Sequence, residues 1–163
     1  SSSATCGTSS SSSDRLARFL MSDSVVAPPA ETRIRPSERF RATAAVVFAR
    51  GLAMLRPKHL EAAMRLLSRR TRPAGAGETL RARTIVTSIS TRCAGRWCLD
   101  RSIATAVLCR FDGAWPDWHT GVCTEPFRAH AWVAVAGRPI GEPDGLGEIF
   151  ESMMVVTSQG RAS

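Results

Sequence analysis

The spacing of apolar positions changes along the chain. From Pro36 onward Phe40, Ala44, Val47 and Phe48 recur at helical intervals and share one face, and the pattern runs to about Leu55. Pro36 suits the first turn of that helix, where a missing N–H costs nothing. Pro57 opens a second helix with Leu60, Met64, Leu66 and Leu67 apolar and Arg65, Arg69 and Arg70 at its basic end, where cations meet the negative pole of the helix dipole. Thr71 to Gly77 is a break, punctuated by Pro73, Gly75 and Gly77. A third helix is expected over Glu78 to Ser90, and a loop at Cys93-Ala94-Gly95-Arg96. A fourth helix is expected from Trp97 or Cys98 to about Arg110, with Leu99, Ile103, Ala106 and Val107 on one face. Phe111 to Asp117 is turn-rich. The period then shortens to two. Trp118–Cys123 and Ala129–Ala136 read as strands, Gly137-Arg138 as a turn, Arg138–Glu142 as the returning strand and Phe150–Val156 as the last. Helices first and an antiparallel sheet after them predict an α+β fold.

Ahead of Pro36 the pattern fails. Ser1 to Ser13 is a serine-rich low-complexity stretch, and Ser22 to Arg35 contains Pro28-Pro29. Residues 1–35 are therefore expected to be disordered or extended, 36–90 a basic helical region and 91–163 the core, with 36–163 one compact domain. The 163 residues are 44% apolar and 22% charged, enough to bury a core, which excludes a wholly disordered chain and a small disulfide scaffold. The longest uncharged apolar run, Ala42 to Ala49, is far short of the roughly twenty residues a membrane span needs. No secretory signal pattern opens the chain. An odd set of cysteines (Cys6, Cys93, Cys98, Cys109 and Cys123) then predicts a reduced, cytoplasmic protein. Cys93 and Cys98 lack the CxxC spacing, and His59, His119 and His130 are scattered, so neither a metal site nor a cofactor is expected.

Charge divides the chain. Residues 1–90 hold 15 Lys+Arg against 6 Asp+Glu, whereas residues 91–163 hold 7 against 8. A cationic front ahead of a neutral back points to an acidic partner. Nucleic acid is not expected: aromatic residues are 6%, Tyr is absent and no nucleic-acid motif appears. The basic helices are expected to be a docking face for an acidic peptide or protein, with a merely solvated surface as the alternative.

The chemistry lies in the back half. Cys98 follows a Gly-containing loop and stands at the expected start of a helix, where orphan N–H groups and the dipole favour a thiolate, the attacking form of cysteine. His130 begins a β-prone stretch and can lean from a sheet edge over that helix, giving the base that a thiol nucleophile needs. A third group must orient the imidazole. If Gly137-Arg138 is the turn, the returning strand brings back Glu142 or Asp144. Both share one face of a regular strand, and Pro143 between them favours Glu142 as the last regular position.

These residues carry a resemblance. Trp97-Cys98-Leu99-Asp100-Arg101-Ser102, Pro126-Phe127-Arg128-Ala129-His130-Ala131-Trp132-Val133 and Gly141-Glu142-Pro143 together resemble the lasso-peptide leader peptidases, transglutaminase-like cysteine proteases of lasso-peptide biosynthesis. The likeness covers roughly residues 38–156 and is looser over the front helices. It implies a transglutaminase/papain-like core in which the helix bearing the nucleophile packs on a small antiparallel sheet. It also implies Cys98 as nucleophile, His130 as base and Glu142 as the acid of the triad, where many members carry Asp. The activity implied is cleavage of a ribosomally made precursor between leader and core, usually one residue after a Thr in the leader. A separate leader-recognition protein is an implied partner and the lasso cyclase a further possible one. The backbone N–H of Cys98 is expected to serve the oxyanion, with the Gly95-Arg96-Trp97 loop as the candidate second donor. Arg101 and Ser102 are expected to be structural, Arg101 being available to pair with a carboxylate. Another transglutaminase-like amidase or acyltransferase, or a non-catalytic basic peptide-binding module, are the alternatives.

Overall fold

The computed structural model describes residues 34–94, 97–124, 127–143 and 146–160, with backbone alone at 147 and 148. Apart from Ile34 and Arg35, the segment expected to be extended lies outside these residues, as do Cys6, Gly95, Arg96 and Asp144. The helices are α1 (Pro36–Ala53), α2 (Pro57–Leu67), α3 (Ala76–Ile89), α4 (Thr91–Ala94), α5 (Cys98–Arg110) and α6 (Leu146–Ile149). The strands are β1 (Arg72–Pro73), β2 (Ala114–Trp115), β3 (Asp117–Thr124), β4 (Phe127–Val135), β5 (Arg138–Pro139) and β6 (Glu151–Val156). Most elements fall within a few residues of their sequence-based bounds. The additions are short: β1 and β2 form a parallel pair inside stretches that read as breaks, α4 makes a helical turn where a loop was expected, and α6 precedes β6.

Helix α5 is the axis of the fold. Every residue from Asp100 to Cys109 is buried, so α5 is enclosed on all sides rather than along one apolar face. Its hydroxyls are satisfied locally: Thr105 donates to the Arg101 carbonyl and Ser102 to that of Leu99. Helix α1 lies against α5, and this contact selects its buried face. Ala42, Ala45, Val46, Ala49 and Leu52 are buried, while Phe40 is 78% and Val47 63% exposed. The apolar stripe read from the sequence thus points outward. The buried face is the alanine-rich one, because small side chains let two helix backbones approach closely. Glu38 fastens the start of α1, accepting the Arg35 N–H at 2.9 Å and the Arg81 guanidinium of α3 at 2.7 Å.

The main sheet is antiparallel, in the order β5-β4-β3-β6. One hydrophobic core joins Ala45 of α1, Met64 of α2, Val86 of α3 and Ile103 of α5 to Trp118, Val133 and Val156 of the sheet. On the other face Trp132 and Ala134 pack with Leu146 and Phe150. The β4–β5 turn is Ala136-Gly137, one residue earlier than expected, with φ of 50° and 77°. Positive φ at both central positions is the hairpin turn whose twist matches that of the flanking strands.

Candidate active site

Cys98 is the first residue of α5, with Trp97 as the cap. The N–H groups of this first turn find no carbonyl within the helix and face whatever lies before it. The half-buried thiol is hydrogen-bonded with the His130 side chain and with the backbone N–H of Ala131. The sheet explains why that N–H is available. Ile140 donates to the Val133 carbonyl at 2.9 Å, so the peptide groups of Val133, and with a period of two those of Ala131, face the β5 side. Strand β5 stops after two residues and leaves Ala131 uncovered. The thiol at the end of α5 takes the place of the missing strand.

His130 lies on β4 opposite Gly121 of β3. Its Nε2 is 3.2 Å from Oε2 of Glu142. A carboxylate only accepts, so Nε2 carries the proton and Nδ1 is left for the thiol. The structure brings Glu142 to His130, but not by way of the returning strand expected from the sequence. A regular strand continued from the Ala134–Pro139 pairing would set Glu142 opposite Ala131, on the face away from His130. The chain instead leaves the sheet after Pro139. Gly141, at φ 68°, turns it so that the Glu142 carboxylate reaches the imidazole. The same glycine makes room for Arg83: a Cβ there would lie 2.8 Å from the guanidinium.

Two arginines hold the other carboxylate oxygen. Arg83 of α3 lies 3.0 Å and Arg101 of α5 lies 3.5 Å from Oε1 of Glu142. Arg101 also donates to the Cys93 carbonyl at 3.3 Å, tying the acid to the turn before the nucleophile. Arg101 thus meets the expected carboxylate. Arg83 carries no local sequence signal that separates it from the other arginines of the basic front. Ser102 is structural, as expected, accepting from the Trp118 indole at 3.0 Å. Asp100 pairs with Arg92, whose guanidinium lies over the Trp97 ring at 3.5 Å.

Aromatic rings steady the histidine. The Trp132 ring is stacked between His119 and His130, with centroids at 5.2 and 6.0 Å, and Phe150 closes on His130 at 5.4 Å. Gly121 provides the space, since a Cβ there would lie 2.6 Å from the Glu151 carbonyl and 3.0 Å from the Trp132 ring.

Charge follows this geometry. Burial pushes the Cys98 thiol up, but the His130 hydrogen bond and charge, the Ala131 N–H and Arg101 outweigh it and bring it below its ordinary value. Burial alone would lower His130, yet its bonds to Cys98 and Glu142 and their charges raise it to about 9. Burial raises Glu142, and His130, Arg101 and Arg83 more than reverse this. All three shifts favour the charged forms: thiolate, imidazolium and carboxylate. Burial pushes Cys93 up, and Cys109 up to about 12.

Of the candidates for the second oxyanion donor, Gly95 and Arg96 lie outside the described residues and Trp97 caps α5. Among the described residues no group of three or more His, Cys, Asp and Glu is arranged to hold a metal ion, and no helix is long and apolar enough to cross a membrane.

A profile of the transglutaminase-like superfamily matches residues 42–155. No curated protein and no solved structure matches the chain. The profile match runs from α1 into β6, taking in both the enclosed helix and the antiparallel sheet it packs on, and the chain belongs to the transglutaminase-like superfamily, which includes cysteine peptidases.

Proposed function

We propose that the protein is a cysteine peptidase that removes the leader from a ribosomally made lasso-peptide precursor, acting with a separate leader-recognition protein. The observation that carries the chemistry is the contact chain from Cys98 through His130 to Glu142, built at a helix start beside an open strand edge. The leader-peptidase assignment rests on the motifs around Cys98, His130 and Glu142.

The Cys98 thiolate attacks the carbonyl carbon of the last leader residue, and the carbonyl π pair moves to oxygen. The N–H of Cys98 faces that oxyanion. As the tetrahedral adduct collapses, the C–N bond breaks and the His130 imidazolium gives its proton to the leaving amine of the core peptide. A thioester joins the leader to Cys98. Neutral His130 then takes a proton from water, the hydroxide displaces the thiolate, and the leader leaves as a carboxylate. Glu142 holds the ring by Nε2 and stabilises the imidazolium in both steps.

The test is a mass-spectrometric cleavage assay with the precursor and the recognition protein. The expected products are two fragments whose masses sum to the precursor plus one water, and none with Cys98→Ala. Products lacking that water and carrying an added amine would mean acyl transfer instead. Cleavage by a folded Cys98→Ala variant would overturn the reading.

A further inference from the structure

We propose that Arg83 is a positioning residue of the site: reaching in from α3, it grips one oxygen of Glu142 so that the other is presented to His130. The inference rests on the Cys98–His130–Glu142 reading above.

Glu142 follows a turn rather than a strand, so no ladder fixes its backbone opposite the histidine. Its side chain has three torsions to settle and ends as a carboxylate that is 6% exposed. A buried carboxylate needs its lone pairs taken up, or it is driven toward the neutral form. The groups that face it are His130 from β4, Arg83 from α3 and Arg101 from α5, with the Cys98 thiol beyond the imidazole. Arg101 is shared with the Cys93 carbonyl and stands at the longer distance, 3.5 Å against 3.0 Å for Arg83. Arg83 is itself only 13% exposed, and the missing Cβ of Gly141 is what lets it close on the turn. Residue 83 lies within the basic front, yet its charge is spent inside the site. Through it α3 fixes the acid, just as α5 fixes the nucleophile and β4 the base.

Cys98 alkylation by iodoacetamide, followed against pH, tests this without needing the substrate. Arg83→Gln removes a cation from Glu142, so the carboxylate becomes easier to protonate and the acid limb of alkylation should move up by about half a pH unit or more. Arg83→Met keeps the buried stem and reads the same shift should the amide variant not fold, and Arg83→Lys should restore the wild-type limb. On a Glu142→Gln background Arg83→Gln should change the alkylation rate less than about twofold, because its route of action is gone. An unmoved acid limb in both uncharged variants, or an equal effect with and without the Glu142 carboxylate, would make Arg83 a merely structural ion and overturn the proposal. Failure of precursor cleavage would strike the leader-peptidase reading and leave this measurement standing.

Discussion

At the scale of single residues the consequence of the site is a pH window. Cys98 and His130 are hydrogen-bonded, and each favours the charged form of the other. With the thiol held low and the imidazole raised to about 9, kcat/KM should be bell-shaped with its alkaline limb near 9. Iodoacetamide should label Cys98 before Cys93 and Cys109, whose thiols are buried and pushed up. In His130→Ala the labelling midpoint should climb toward about 8.5, the value of a free thiol. First labelling of Cys93 would point to a different nucleophile. Stability follows the same groups. The raised His130 contributes stability that is fully present below its unfolded value, about 6.5, and is lost as pH rises through about 9. The depressed Glu142 contributes stability present above its unfolded value and lost as pH falls through its folded one. The thermal midpoint should therefore be highest between the carboxylate range and about pH 6.5 and should fall from there toward pH 9, and Glu142→Gln should flatten the acid side of that curve. Glu142→Gln should also slow cleavage by orders of magnitude, though less than His130→Ala, since an amide can hold the ring without stabilising the imidazolium.

At the scale of elements two glycines separate packing from chemistry. Gly121 sits at the register shift between β3 and β6, and a Cβ there meets backbone, which cannot swing aside. Gly121→Ala should cost about 1–3 kcal/mol in denaturant unfolding, as overpacking does. Gly141→Ala meets a positive φ and the side chain of Arg83 instead, so its larger effect should fall on the cleavage rate, read from single-turnover kinetics. A Gly141→Ala variant with the wild-type rate would show that the turn does not set the carboxylate. These positions also mark what was legible beforehand. The helices and long strands are legible because apolar periodicity survives in them. Strands β1, β2 and β5 span two residues each, too few for any period, and β5 is shorter than the Arg138–Glu142 strand expected from the sequence. Glu142 is legible from the returning strand, from Pro143 after it and from the motif it belongs to, whereas the turn that delivers it is a tertiary outcome. The outward stripe of α1 had the same periodicity as a buried one. Only the partner helix decides which face is covered, and α5 chose the alanines. Arg83 lay beyond reach because its partner is 59 residues away, and no local pattern links a helix arginine to a distant turn.

At the scale of the whole molecule the cationic front divides into arginines with different work. Arg83 is committed to the site, and Arg41, Arg72 and Arg81 pair with Asp112, Glu78 and Glu38. Arg65 pairs with Glu61 one turn away, a contact worth about 0.2–0.5 kcal/mol on a helix surface. Lys58, Arg69 and Arg70 are exposed and form no ion pair with a described residue. Near them in the chain Met54 and Leu66 are 88% and 63% exposed, so α2 and the segment leading into it offer apolar as well as charged surface. An acidic leader or recognition protein would meet both. Charge reversal at Lys58, Arg69 and Arg70 should then raise KM for the precursor severalfold and leave the single-turnover rate at saturation nearly unchanged. Arg65→Glu should do less than the other reversals, because its charge is already shared with Glu61. Added salt should imitate the reversal variants, since exposed charges are screened beyond about 8 Å at physiological ionic strength. Arg83 variants should behave in the opposite way, losing rate at saturation while KM moves little. Titrations of KM and single-turnover rate against salt for both groups provide the comparison. A flat salt response with wild-type KM in the triple reversal would reduce Lys58, Arg69 and Arg70 to solvated surface. A lost rate at saturation would instead draw α2 into the catalytic apparatus, against the separation seen between these exposed charges and the buried Arg83.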